Sequence, residues 1–312
     1  MTSPGIREPA GTRAPLLPSW RDGPTRDRLV SFLEASDEVP IRRRVAVFDN
    51  DGTLWCEKPN YVQMEFFLYL LAAAVDHDPR LADRREFRAL LDGDGAEVRA
   101  LGIERVVFAL VGLTEGWSPE YFASRVRGFV DTARHPHRGV PLADMRYLPM
   151  LELLDALRAR DFDVYLVTGG GAEFVRALSS SFYGVSPEGV VGSQVGYTVE
   201  RVDGRPGLRR TVSLVGDVNE GDAKIGNIQR QLGRRPIFAA GNSAGDAAML
   251  DYALGADGPT CAVLIDHDDA DREYAYESRA ASFDSGDVIT EVARRSGWTV
   301  VSMRHDWSTV FP

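Results

Sequence analysis

Asp49 and Asp51 stand one residue apart at the end of an apolar run, in Val45-Ala46-Val47-Phe48-Asp49-Asn50-Asp51-Gly52-Thr53. Two carboxyls so placed can divide nucleophilic attack and proton transfer between them. Thr168 opens Thr168-Gly169-Gly170-Gly171, where a hydroxyl and backbone N–H groups at a helix start suit phosphate oxygens. Lys224 can add a fixed cation. Asn242 and Asp246 lie in Gly241-Asn242-Ser243-Ala244-Gly245-Asp246. With Asp49 and Asp51 they form a set of hard oxygen donors suited to Mg²⁺, which prefers octahedral oxygen coordination. Singly, each residue has a plainer reading. Asp49 and Asp51 could be turn residues, Lys224 a solvated helix side chain, and Thr168, Asn242 and Asp246 helix caps.

For the chemical reading to hold, these residues must meet, and the surrounding pattern brings them to one edge. Four apolar runs read as buried parallel strands: 45–48, 163–167, 236–240 and 261–265. The first three run straight into the motifs above, and strand tips in a parallel sheet converge. Helical spacing marks 25–36, 150–160, 173–180 and 223–232, the last carrying Lys224 toward the third strand. Residues 190–215 read as a β-hairpin about Asp203-Gly204. Between the first and second strands the pattern turns wholly helical, with about four helices and a closing loop at 136–141. The expected fold is therefore α/β: a Rossmann-like doubly wound parallel sheet with an inserted helical cap domain and a hairpin excursion. The division is an N-terminal extension at 1–24, a core at 25–54 and 146–312, and a helical cap at 55–145. Residues 298–312 are expected to add a strand or pack on the core.

Composition narrows the partners. A net charge of −10 argues against a nucleic-acid binder, which needs a basic stripe. An anionic substrate would then need local positive charge, which Lys224, a metal and helix N-termini can provide. Cys56 and Cys261 have no metal-ligand spacing, and no apolar run reaches membrane-spanning length, so a cytoplasmic protein is expected. Residues 1–24 are expected to be poorly ordered or draped over the surface. His135, His137 and His267 read as surface histidines, the last in an acidic loop at 266–271. Trp55 and Tyr61 could line a pocket, whereas Phe66 reads as core of the helical block.

Four motifs in order make the sequence resemble the haloacid dehalogenase superfamily, in its phosphoserine-phosphatase-like branch. The resemblance implies Asp49 as nucleophile. It implies Asp51 as general acid and base, also offering its carbonyl to Mg²⁺. Thr168, Gly169, Gly170 and Lys224 would hold the phosphate, and Asn242 or Asp246 would join the metal shell. It departs from the pattern at Asn242, where phosphoserine phosphatases carry a metal-binding Asp, and at Gly245, where they carry Asn; Ala244 departs also from bacterial relatives that write Gly-Asn-Ser-Asp-Gly-Asp. No cap Glu and Arg match those that read serine, although Glu57 and Lys58 fall nearby. The function expected is a Mg²⁺-dependent phosphatase acting on a small phosphorylated metabolite. The alternatives are a 2-haloacid dehalogenase, which needs no second carboxyl, and a binding or regulatory protein on the same fold.

Overall fold

The computed structural model describes residues 16–279 and 286–312. Among the described residues, seven strands form one sheet: β1 (Val45–Phe48), β2 (Asp163–Gly171), β3 (Val190–Val202), β4 (Arg205–Val215), β5 (Phe238–Gly241), β6 (Cys261–Asp266) and β7 (Thr299–Ser302). Their order is β4-β3-β2-β1-β5-β6-β7, parallel except for the β3–β4 pair. The chain therefore starts mid-sheet, builds outward one way, and restarts at β5 on the other side of β1. The β1–β5 junction is the reversal point where open α/β sheets bind ligands.

Side chains alternate across a strand, so each strand feeds two cores. Ala46 and Phe48 face one cluster with Phe32 of α1 (Pro24–Ala35), while Val45 and Val47 face another. Phe48 lies 5.2 Å from Phe238, which lies 5.6 Å from Phe32. Truncating such a ring to Ala costs about 3–5 kcal/mol, because a close-packed core cannot refill the cavity. Five helices follow β1 in sequence: α2 (Val62–His77), α3 (Arg85–Leu91), α4 (Gly95–Leu101), α5 (Ile103–Gly112) and α6 (Pro119–Thr132). The sequence pattern suggested about four; Gly93 and Gly102, both at positive φ, divide the middle of the block into short helices. The remaining helices are α7 (Leu148–Arg158), α8 (Ala172–Tyr183), α9 (Asp222–Leu232), α10 (Ala247–Leu254), α11 (Ile289–Ser296) and α12 (Met303–Asp306).

The hairpin turns at Asp203 and Gly204, with φ of 51° and 76°, the paired left-handed geometry that matches strand twist. Only the first part of β3 pairs with β2, through Val190, Val191 and Ser193, so the ribbon extends past the strand tips. β7 pairs with β6, which places the C-terminal segment as an edge strand. Of the N-terminal extension, 1–15 lies outside the described residues. The rest is anchored rather than draped: Trp20 is buried against Trp307 at 5.9 Å, and the Ser19 hydroxyl donates to Glu152 at 2.6 Å. Among the described residues, no helix is long and apolar enough to cross a membrane.

Candidate active site

Strand register brings the motifs level. Phe48 sits opposite Leu166 on one side and Ala240 on the other. Asp49, Thr168 and Asn242 therefore emerge from adjacent tips, and the Asp49 N–H donates to the Ala240 carbonyl at 2.9 Å. Gly52, at φ 77°, lets the chain double back under Asn242; a Cβ there would lie 1.9 Å from the Asn242 amide nitrogen. Gly170 is less confined: its Cβ would lie 2.9 Å from Gln63 Oε1, the end of a flexible side chain, and 3.3 Å from Thr168 Oγ1. Gly52 is thus a close-approach position, whereas a larger side chain at Gly170 would have to push Gln63 aside.

Lys224 ties the strands together. It is 2% exposed, and its ammonium donates to Asp49 Oδ1 at 2.8 Å, to Asp246 Oδ1 at 2.5 Å and to the Val167 carbonyl at 2.9 Å. Those bonds occupy all of its N–H groups. Burial alone would push the Lys224 ammonium down, but Asp246 and Asp49 outweigh it and hold the group firmly charged. Asp246 is equally occupied, because its Oδ2 accepts from the Asn242 and Ser243 N–H groups at 3.0 Å and from the Ser243 hydroxyl at 3.1 Å. Asp49 Oδ2 is less encumbered, with the Thr53 hydroxyl at 3.5 Å. Burial and the Asp246 charge push the Asp49 carboxyl up, against the pull of Lys224. Burial, with Glu57 nearby, raises Asp51 from 3.8 to about 7.

Thr168 is buried, and its Oγ1 accepts from the Gly170 N–H at 3.0 Å, so that donor is turned inward. The Gly171 N–H likewise donates to Gln63 on α2. The Asn219 amide holds the Thr168 carbonyl at 2.9 Å and aligns the turn from behind. Asn219 and Gln63 carry no motif, and nothing in their local sequence marks them. Glu57 is buried by its surroundings, with its carboxyl raised mainly by desolvation, and accepts from Asn242 Nδ2 at 3.4 Å.

Histidine placement departs from the surface reading. His267 is buried, its Nε2 2.9 Å from the Gly52 carbonyl and its Nδ1 3.3 Å from Glu273 Oε2. Glu273 also accepts from Tyr147 and Cys56, so a polar network stands behind the Asp51–Gly52 turn. The loop at 266–271 is accordingly not a free acidic surface, because Asp269 is buried as well. His135 is buried with Nε2 2.7 Å from the Lys58 carbonyl, whereas His137 is exposed. Tyr61 lines the cavity and Phe66 packs among Phe67, Phe122, Phe129 and Phe174. Trp55 is core, its indole donating to the Leu142 carbonyl.

All of the expected site residues line one cavity of about 660 Å³: Asp49, Asp51, Thr168, Gly169, Gly170, Lys224, Asn242 and Asp246. The sequence matches the model of the haloacid dehalogenase-like hydrolases over residues 46–251, more than half of the chain. The chain belongs to that family. No curated protein matches the sequence. Among solved structures, a protein of unknown function from Bordetella pertussis Tohama I is similar, with 18% identity and a TM-score of 0.53, covering 83% of this chain and 98% of its own. A functionally unknown protein from Anaerococcus prevotii DSM 20548 has 14% identity and a TM-score of 0.56, over 88% of this chain and 90% of its own. A probable phosphoserine phosphatase from Vibrio cholerae is also matched, at 17% identity and a TM-score of 0.40, over 88% and 75%. The two likenesses above 0.5 concern the fold, which is the family's α/β sheet.

Proposed function

We propose that the protein is a Mg²⁺-dependent phosphatase that hydrolyses a small phosphomonoester through an aspartyl-phosphate on Asp49. One observation carries this reading. Asp49 is locked onto Lys224 while Asp51, in the same cavity, titrates near neutrality. A nucleophile needs a fixed carboxylate, and a group that gives and then takes a proton works best with a pKa near the working pH.

The residues fit a magnesium ion. Asp49, Asp51 and Asp246 crowd one end of the cavity around the ammonium of Lys224, with Glu57 beside them 3.8 Å from the Lys58 ammonium, an imbalance a dication would relieve. Asp49, the Asp51 carbonyl and Asn242 Oδ1 are hard oxygens, and the Asn242 Nδ2 contact with Glu57 turns Oδ1 away from that carboxyl. Among the described residues, no trio of acidic, histidine or cysteine side chains is grouped to hold a metal, so main-chain oxygen and water would complete the shell. In this reading Asp246 stands behind Lys224 instead of on the metal, because both its oxygens are occupied. When bound, the ion would offset charge on the phosphoryl oxygens.

Asp49 attacks phosphorus, the ester P–O bond breaks, and the leaving alkoxide takes the Asp51 proton. Asp51 then removes a proton from a water that attacks the aspartyl-phosphate phosphorus, freeing phosphate and restoring Asp49. Thr168 and Gly169 cradle the phosphate, and Lys224 steadies the carboxylate that carries it. Helices α2–α6, within a cap spanning 55–145, cover the core of 25–54 and 146–312 and exclude water during turnover. The two cysteines, both free and buried, are in keeping with a cytoplasmic setting.

The test is phosphate release from a panel of phosphomonoesters by the purified protein, with Mg²⁺ or with EDTA. Release that requires Mg²⁺ is expected. Chloride release from a 2-haloacid in EDTA, without phosphatase activity, would overturn the reading; the proton-transfer role given to Asp51 has no use when halide departs.

A further inference from the structure

We propose that the cavity selects phosphomonoesters whose leaving group is uncharged and apolar. This rests on the phosphatase reading for the reaction, and on the far end of the cavity for the selectivity. From Asp49 the space continues to walls made by Phe67 of α2, Val107 and Val111 of α5, Phe122 of α6, and Val195 and Leu214 of the ribbon. Val195 and Leu214 are cross-strand partners, so they present a shared apolar face. A leaving group bound to phosphate at the sheet tips would extend between these walls, and burial there rewards hydrocarbon.

The polar groups at that end exclude the other common leaving groups. Arg210 and Glu173 line the chamber and are ion-paired with each other. An amino-acid moiety would need an acid for its ammonium and a base for its carboxylate, and it would have to compete with this ion pair for both, although Glu173 Oε1 and Arg210 Nε have no hydrogen-bond partner. A quaternary ammonium would need an open aromatic face. Of the rings that line the cavity, Phe122 has its face covered by the Arg210 guanidinium, 3.9 Å from the ring centroid, and Phe67 and Phe174 are packed in the core, so that among the described lining residues Tyr61 and Phe108 are the rings left to meet a cation. A second phosphate would meet Glu104 and Asp217, exposed acids that line the same cavity. Hydrocarbon is the class that the apolar walls accept without competing with the Arg210–Glu173 pair.

The experiment measures kcat/KM with Mg²⁺ for straight-chain alkyl phosphates from methyl to hexyl, beside phosphoserine and phosphocholine. Alkylphosphonates of the same lengths are titrated as ligands by calorimetry. Each added methylene is expected to raise kcat/KM and phosphonate affinity about fourfold until the chamber is full. Phosphoserine and phosphocholine should fall below hexyl phosphate. Phe108→Ser, at a cavity-lining side chain that is 44% exposed, should lessen the gain per methylene while leaving methyl phosphate turnover unchanged. Hydrolysis with a flat or falling series, or with phosphoserine preferred, overturns the selectivity and leaves the phosphatase reading intact. Phosphonate affinity that climbs with length while no ester is hydrolysed supports the chamber and overturns the phosphatase reading. Affinity that ignores length overturns the chamber.

Discussion

Around Asp49 the polar atoms are held by partners that the backbone fixes, whereas the chamber walls from Phe67 to Leu214 are held by packing alone. Lys224 bonds two carboxylates and a main-chain carbonyl, and Asp246 bonds two main-chain N–H groups. Parallel strand register sets those positions, and a register is either right or wrong. The chamber instead follows side-chain volume, which tolerates change in small steps. Substitutions at the two ends should therefore differ in kind, and several measurements can break that contrast.

The largest effect is expected for Asp49→Asn, which should lower single-turnover phosphate release by about 10⁴-fold or more. Release that survives this change would remove Asp49 as nucleophile. Lys224→Met strands two buried carboxylates, and urea unfolding should show a loss of about 3–5 kcal/mol. A near-normal midpoint would mean that the sheet tips do not depend on this ion pair. Asp51→Asn should cost about 10²-fold in turnover of an ester with a poor leaving group. The same variant has a signature in pH. Because the folded carboxyl titrates near 7 instead of 3.8, the folded state keeps a proton that the unfolded chain has lost. Stability in EDTA should then fall as pH rises across that window, and Asp51→Asn should raise the melting temperature more at pH 8 than at pH 5. Equal gains at both would contradict the burial. Asn242→Asp should lower the Mg²⁺ half-saturation several-fold if its side chain is a ligand; an unchanged value would put it outside the shell. The smallest effect is expected in the chamber, where Val107→Ala should shift KM less than about tenfold with kcat kept. A collapse of kcat there would erase the distinction between the two ends.

Much of the core was legible because β1, β2, β5 and β6 are continuous apolar runs ending in Gly, Asp or Asn, and buried parallel strands read that way. The residues around Asp49 were legible as types in motifs, and the register that aligns them follows from three adjacent strands. The supporting layer was not. Asn219 reaches back to Thr168 and Gln63 to Gly171 across long sequence separations, and neither belongs to any periodic pattern. His267 looked like part of an acidic surface loop because its true partners, Gly52 and Glu273, lie on either side of it in the chain, one of them far away. Likewise Lys224 reads as a candidate phosphate clamp from type alone, while only the fold reveals that its donors are already engaged.

Arg210 gives the molecule a mechanical character. Its main chain is bonded to the turn before α6, with the Gly116 N–H donating to its carbonyl and its own N–H donating to the Trp117 carbonyl, both at 2.9 Å. Its side chain is ion-paired with Glu173 in the first turn of α8, which belongs to the sheet core. One residue thus pins three parts of the protein at a single point. The loop before α6, the ribbon and the start of α8 are therefore held in one fixed arrangement at that point. The far rim of the cavity, by contrast, carries the exposed side chains of Ile103 and Phe108, and in the proposed reaction that rim is where the alcohol would leave.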